Sequence, residues 1–340
     1  NSGGGDSSNR VSLGSAFTRG DEQAGCLSRG FHMTVFVWLI LCAIWGSTWI
    51  FIKKGLVDPA SGSGLPPITF ATARFAIAAV VLAIIIIARR LPLPRGRAQW
   101  SLMLVTGLLQ FTINYSMVFW GETRISSGLA SVLQGMISVF GLGLAWYFLP
   151  QERINGLKVL AVLVGFAGVG VIFSDQIRPD DLKEFSGSAA IVFGAFSAAL
   201  ASILIKAKAQ GIHPATMAFS QMVLGLPILI FYSFAVEGNP FEVQKWSTIS
   251  ILCVLHLAIV GTVVAFWLYY WLLSKIESTR AMMLSLVTPV IAVIVGASVG
   301  DESFPPQILL GGSLILGSIA LILVRTHRRK MEPVDVHLTT

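Results

Sequence analysis

The chain has 340 residues, of which 54% are hydrophobic and only 12% charged, and its net charge is +7. Water-soluble domains carry about twice that charged fraction, so the solvent for most of this chain is lipid. Its basic residues gather in short loops between apolar runs, not on one soluble face, which excludes a nucleic-acid-binding protein.

Residues 1–32 are rich in Gly and Ser, lack an apolar stretch, and read as a disordered tail with no signal-peptide core. A bilayer core takes about 20 apolar residues per helix. Ten runs of about that length follow: 33–52, 67–88, 100–119, 127–148, 157–173, 187–205, 215–236, 249–271, 281–299 and 306–324. Residues 326–340 form a polar C-terminal tail. The expected fold class is all-α integral membrane, with ten transmembrane helices. The loops on one face, together with the C-terminus, hold fourteen Lys and Arg, and the loops on the other hold six. By the positive-inside rule both termini are expected in the cytoplasm.

The two halves, 33–174 and 187–325, resemble each other in order along the chain. "WGETRISSGLASVLQGMISV" precedes Glu152, and "WLLSKIESTRAMMLSLVTPV" precedes Glu302. Trp120 then matches Trp271, Arg124 matches Lys275, Ile125 matches Ile276 and Gln134 falls opposite Ser285. "PPITFATARF" resembles "HPATMAFSQM", which pairs Arg74 with Gln221. Each half holds five runs, so the second enters the membrane from the opposite face. Such inverted repeats are the architecture of secondary transporters, which hold the substrate near the midplane between the halves.

These motifs carry a family resemblance. "IWGSTWIFIKKGL", "PPITFATARF", "ERINGLKVLAVLVGFAGVGVI", "SLVTPVIAVIVG" and "GDESFPPQILLGGSLILGSIALILV", in this order, make residues 33–327 resemble a ten-span member of the drug/metabolite transporter superfamily, of the EamA-domain type. The resemblance implies carriage of small metabolites, amino acids among them and often outward, across a bacterial inner (plasma) membrane. It also implies an arginine at the place of Arg74 and a cavity position for Trp45. One departure is that Ser138 stands where the family commonly has a proline to match Pro289.

Several side chains are candidates for the path. Ser127, Ser131, Gln134, Ser138, Gly141 and Ala145 share one face of the fourth run; they read as a packing seam or as a polar wall, and the bulk of Gln134 favours a wall. Gln110 and Asn114 are carboxamides four residues apart at membrane depth, and they need partners or a polar solute. Arg74, with Gln221 opposite it in the repeat, either fixes helix ends or meets a substrate carboxylate. Trp45 and Ser285 complete the cavity candidates. His256, within the eighth run, is a candidate proton carrier or a simple hydrogen-bonding group. Glu152 and Glu302 read as helix caps or gate contacts. Ala190, Gly194, Ala198 and Ser202 recur every four residues and read as a close-packing seam.

The sequence has no HExxH, Walker or Rossmann motif, and Cys26, Cys42 and Cys253 have no metal or disulfide spacing. The expectation is a transporter that is not an enzyme, with no cofactor and no metal. Its partners are a small-molecule substrate and the lipid bilayer, and it is a monomer or homodimer. A passive channel and a membrane-embedded enzyme are the alternatives.

Overall fold

The computed structural model describes residues 33–56, 64–149, 156–176, 182–209, 211–238, 246–276, 278, 281, 284–299 and 305–328. Among them the secondary structure is helical, apart from one bridge between Leu56 and Leu65. In chain order the helices are α1 (Met33–Gly55), α2 (Pro67–Arg89), α3 (Gly96–Glu122), α4 (Ser127–Phe148) and α5 (Gly156–Gln176). They continue as α6 (Leu182–Lys208), α7 (Pro214–Glu237), α8 (Thr248–Lys275), α9 (Leu284–Val299) and α10 (Pro306–Arg328). Seven of them, α1 to α4 and α6 to α8, are long and apolar enough to cross a membrane. The expected ten spans thus meet these criteria at seven places; α5 and α10 carry the shorter apolar stretches Val159–Ile172 and Pro306–Ser318. The N-terminal tail, the end of the C-terminal tail, Glu152 and Glu302 lie outside the described residues.

Local chemistry sets the helix starts. Ser126 and Ser247 cap α4 and α8 by accepting from the Leu129 and Ser250 amides. Pro67 and Pro214 occupy first-turn positions, where a missing N–H costs nothing. The open end of α2 is met from far along the chain. The carboxylate of Glu237, the last residue of α7, accepts from the Ile68 and Thr69 amides, both at 2.7 Å. A negative charge there satisfies two orphan donors and the positive end of the helix dipole.

Among the described residues, three helices depart from regular winding. α3 and α8 contain π-wound stretches at Leu108–Asn114 and Ile259–Val264. The matches Ile125 to Ile276 and Arg124 to Lys275 put these two stretches in register with each other. α4 is interrupted at Gly135, where the Ser138 amide donates to the Gly135 carbonyl instead of continuing the regular pattern. The break lies close to Ser138, the repeat position that faces Pro289 of α9.

The halves interleave. α1 packs on α8 and α9, where a Cβ at Gly46 would fall 2.6 Å from the Ile291 side chain. α6 packs on α3 and α4, and α2 packs on α7. α5 and α10 form the most extensive pair and contact the rest mainly through α4 and α6. There Gly168 and Gly311 face each other so closely that a Cβ on either would lie 2.6 Å from the other's carbonyl oxygen. Inside lipid, close approach of this kind brings helices together, since apolar burial alone gives no gain over lipid tails.

Candidate functional site

A cavity of about 120 Å³ lies between the halves. Trp45, Thr48, Trp49 and Ile52 of α1 line it, with Gln110, Asn114, Tyr115 and Val118 of α3 and Gln134 and Ile137 of α4. Ala198 and Ser202 of α6, Phe266 and Tyr269 of α8, Ala281, and Leu284 and Thr288 of α9 complete the wall. None of these side chains is charged at neutral pH.

Helical periodicity explains how each element delivers its residues. On α1 the lining positions Trp45, Thr48, Trp49 and Ile52 repeat at steps of three and four. On α3 the π-wound stretch brings Gln110 and Asn114 to one side, and Tyr115 and Val118 extend that side toward the helix end. The two carboxamides meet across helices, since Gln134 Nε2 donates to Asn114 Oδ1 at 2.9 Å. Gln134 Oε1 and the Trp45 indole Nε1 are buried and have no hydrogen-bond partner among the described residues. One is an acceptor and the other a donor. The Trp45 ring lies against Phe266 at 5.7 Å and Tyr269 at 5.2 Å between centroids. Tyr269 donates its hydroxyl to Ser202 Oγ at 3.1 Å.

Of the sequence candidates, Trp45, Gln110, Asn114 and Gln134 come together on this wall. Arg74 stands one layer behind it and is fully buried. Its guanidinium lies 4.9 Å from the Tyr115 ring centroid. Nε donates to Thr262 Oγ1 at 2.7 Å and Nη2 to the Gly261 carbonyl at 3.0 Å. Thr262, in the π-wound stretch of α8, donates its own hydroxyl to the Leu257 carbonyl at 2.8 Å. Gly261 packs against the guanidinium, and a Cβ there would lie 3.4 Å from Arg74 Nη2.

Gln221 is also fully buried and does not line the cavity. Its Nε2 donates to Thr106 Oγ1 at 2.7 Å and its Oε1 accepts from the Tyr270 hydroxyl at 2.6 Å. Ser138 is buried away from the lining set. Along the fourth-run stripe, Gln134 alone reaches the wall, while Ser127, Ser131, Gly141 and Ala145 are buried in packing. Ser285 belongs to α9, and its side chain lies outside the described residues. His256 stacks on Phe51 at 4.1 Å between centroids, away from the lining residues.

Sequence reasoning missed other members. Ala198 and Ser202 read as a packing seam, yet they face the cavity, while Gly194 of the same row packs on Asn114 and Met117. Glu122 reads as a loop charge in "GETRI", yet it closes α3 and is fully buried.

Comparison with known proteins agrees with this architecture. The EamA-like transporter family matches twice, over residues 32–174 and 185–324. The uncharacterized transporter YoaV of Bacillus subtilis is 25% identical over 85% of this chain and 96% of its own length. A probable amino-acid metabolite efflux pump of Escherichia coli is 26% identical over 86% of this chain and 95% of its own. One solved crystal structure shares the fold at 17% identity, with a TM-score of 0.59 over 86% of this chain and 99% of that one. The multi-pass apolar helices and the double match across most of the sequence show that this chain belongs to the EamA-like transporter family.

Proposed function

We propose that the protein is a secondary transporter that carries a small zwitterionic metabolite, an amino acid or a close relative, outward by alternating access. In this reading ten spans form two inverted five-helix repeats, with both termini in the cytoplasm of a bacterial cell. One observation carries the substrate class. The wall is aromatic and uncharged, and among the described residues it presents one unengaged buried donor, Trp45 Nε1, and one unengaged buried acceptor, Gln134 Oε1. Buried polar atoms are nearly always paired, so such atoms at a cavity are available to water or to a polar solute. The indole N–H suits a carboxylate and the amide oxygen suits an ammonium group. Trp45, Phe266 and Tyr269 supply an apolar surface for a side chain. The name of the Escherichia coli relative, an amino-acid metabolite efflux pump, favours the same class.

The test is counterflow of labelled amino acids in proteoliposomes. Saturable uptake, stimulated by unlabelled solute on the far side, is the expected result. A linear, non-saturating flux would favour a passive channel. Failure of every amino acid would remove the substrate class.

A further inference from the structure

The cavity wall ends twice in the same device. On α1 the lining residues run from Trp45 to Ile52, and Lys53 follows. Its Nζ donates to the carbonyls of Glu122 at 2.8 Å and Ile125 at 2.9 Å, at the C-terminal end of α3. On α6 the lining residues are Ala198 and Ser202, and Lys206 lies one turn further on. Its Nζ donates to the carbonyls of Leu273 at 2.8 Å and Ile276 at 2.9 Å, at the C-terminal end of α8. The repeat register that pairs Ile125 with Ile276 also pairs Glu122 with Leu273. The four carbonyls are therefore two equivalent pairs, and each pair is held by one lysine.

Chemistry makes these contacts suited to repeated release. The last carbonyls of a helix have no intrahelical partner, and a cation there is favoured by the helix dipole. An ammonium group on a four-carbon stem is strongly hydrated, so both it and the carbonyls can exchange their bond for water when the end opens. Each contact joins two helices that both line the cavity, α1 to α3 and α6 to α8. Breaking one frees the end of that pair and leaves the other pair fastened.

We propose that Lys53 and Lys206 are the two latches of the transport cycle, each holding one end of the cavity shut, so that release of one at a time opens the cavity to one face of the membrane. The proposal rests on the alternating-access reading above. Both latches are fastened in this structure.

The test needs no substrate. Cys26, Cys42 and Cys253 are replaced by Ser, and Ala198→Cys places a reporter thiol in the cavity wall. A charged, membrane-impermeant maleimide is applied to right-side-out and to inverted vesicles. Lys53→Met is expected to raise the labelling rate from one face roughly ten-fold, and Lys206→Met to do so from the opposite face, as follows from loss of a charge-assisted bond. Lys53→Arg and Lys206→Arg, which keep a cationic donor, are expected to restore the slow rates. If a Met variant is not monodisperse in detergent, Lys53→Gln or Lys206→Gln is read in its place, with the same expectation. Unchanged rates would reduce the lysines to static caps and overturn the proposal, as would acceleration from the same face by both variants. A counterflow assay that fails for all amino acids leaves these labelling results standing, so the two readings fail separately.

Discussion

Arg74 reaches Thr262, 188 positions away in sequence, through a 2.7 Å bond from Nε to Oγ1 that ties α2 to the π-wound stretch of α8. Gln221, its repeat counterpart, reaches Thr106, one residue before Gly107, after which the π-wound stretch of α3 begins. Each half thus sends one polar side chain to the irregular helix of the other. Arg74→Gln is expected to lower stability by about 2 kcal/mol, the scale of lost hydrogen bonds to a charged group. Thermal unfolding in detergent measures it. A variant that keeps wild-type stability but loses counterflow would instead make Arg74 a substrate contact.

Gln221 accepts from Tyr270 and donates to Thr106, so its two ends act together. Gln221→Leu and Tyr270→Phe should each destabilise the protein, and the double variant should cost less than their sum. The coupling expected inside a membrane is roughly 0.6 to 1.7 kcal/mol. Strict additivity in a double-mutant cycle would show that the bond contributes nothing.

At the cavity, Trp45→Phe keeps an aromatic ring and removes only the indole donor. Counterflow should show a half-saturation concentration raised roughly ten-fold, the effect of one lost polar contact to a charged group, with little change in unfolding temperature. Gln134→Leu should weaken transport more, because it removes the unengaged acceptor and also strips Asn114 of its donor.

Gly168→Ala tests the α5–α10 pair. A methyl group would press on the Gly311 carbonyl, and a backbone atom cannot swing aside as a flexible side chain can. Overpacking of this kind costs about 1–3 kcal/mol. The unfolding temperature should fall accordingly. Counterflow in the folded fraction should be unaltered, since neither glycine touches the cavity.

Some of this was legible in the chain itself. Apolar runs and charged separators foretold the helices, because length and hydropathy are local properties. Gln110, Asn114 and Gln134 could be picked as wall residues because a carboxamide in lipid is conspicuous. Gln221 was equally conspicuous, but its partners Thr106 and Tyr270 lie on other helices, and the sequence does not say which partners a polar group will find. Spacing brought Ala198 and Ser202 to one face without telling whether that face meets a helix or a cavity. Glu122 was hidden by its setting: "GETRI" reads as a loop, whereas the helix continues through the glutamate and buries it. The π-wound stretches have no signature in composition at all. The capping role expected of Glu152 and Glu302 is seen at Glu237, whose carboxylate closes the start of α2.

The uncharged wall also bears on energetics. Moving one elementary charge through 100 mV is worth about 2.3 kcal/mol. The solute proposed above, a zwitterion, carries no net charge, and the side chains around the cavity add none. If that proposal holds, membrane voltage does no work on the solute itself. The concentration ratio across the bilayer, or a co-transported ion, would then have to supply the drive.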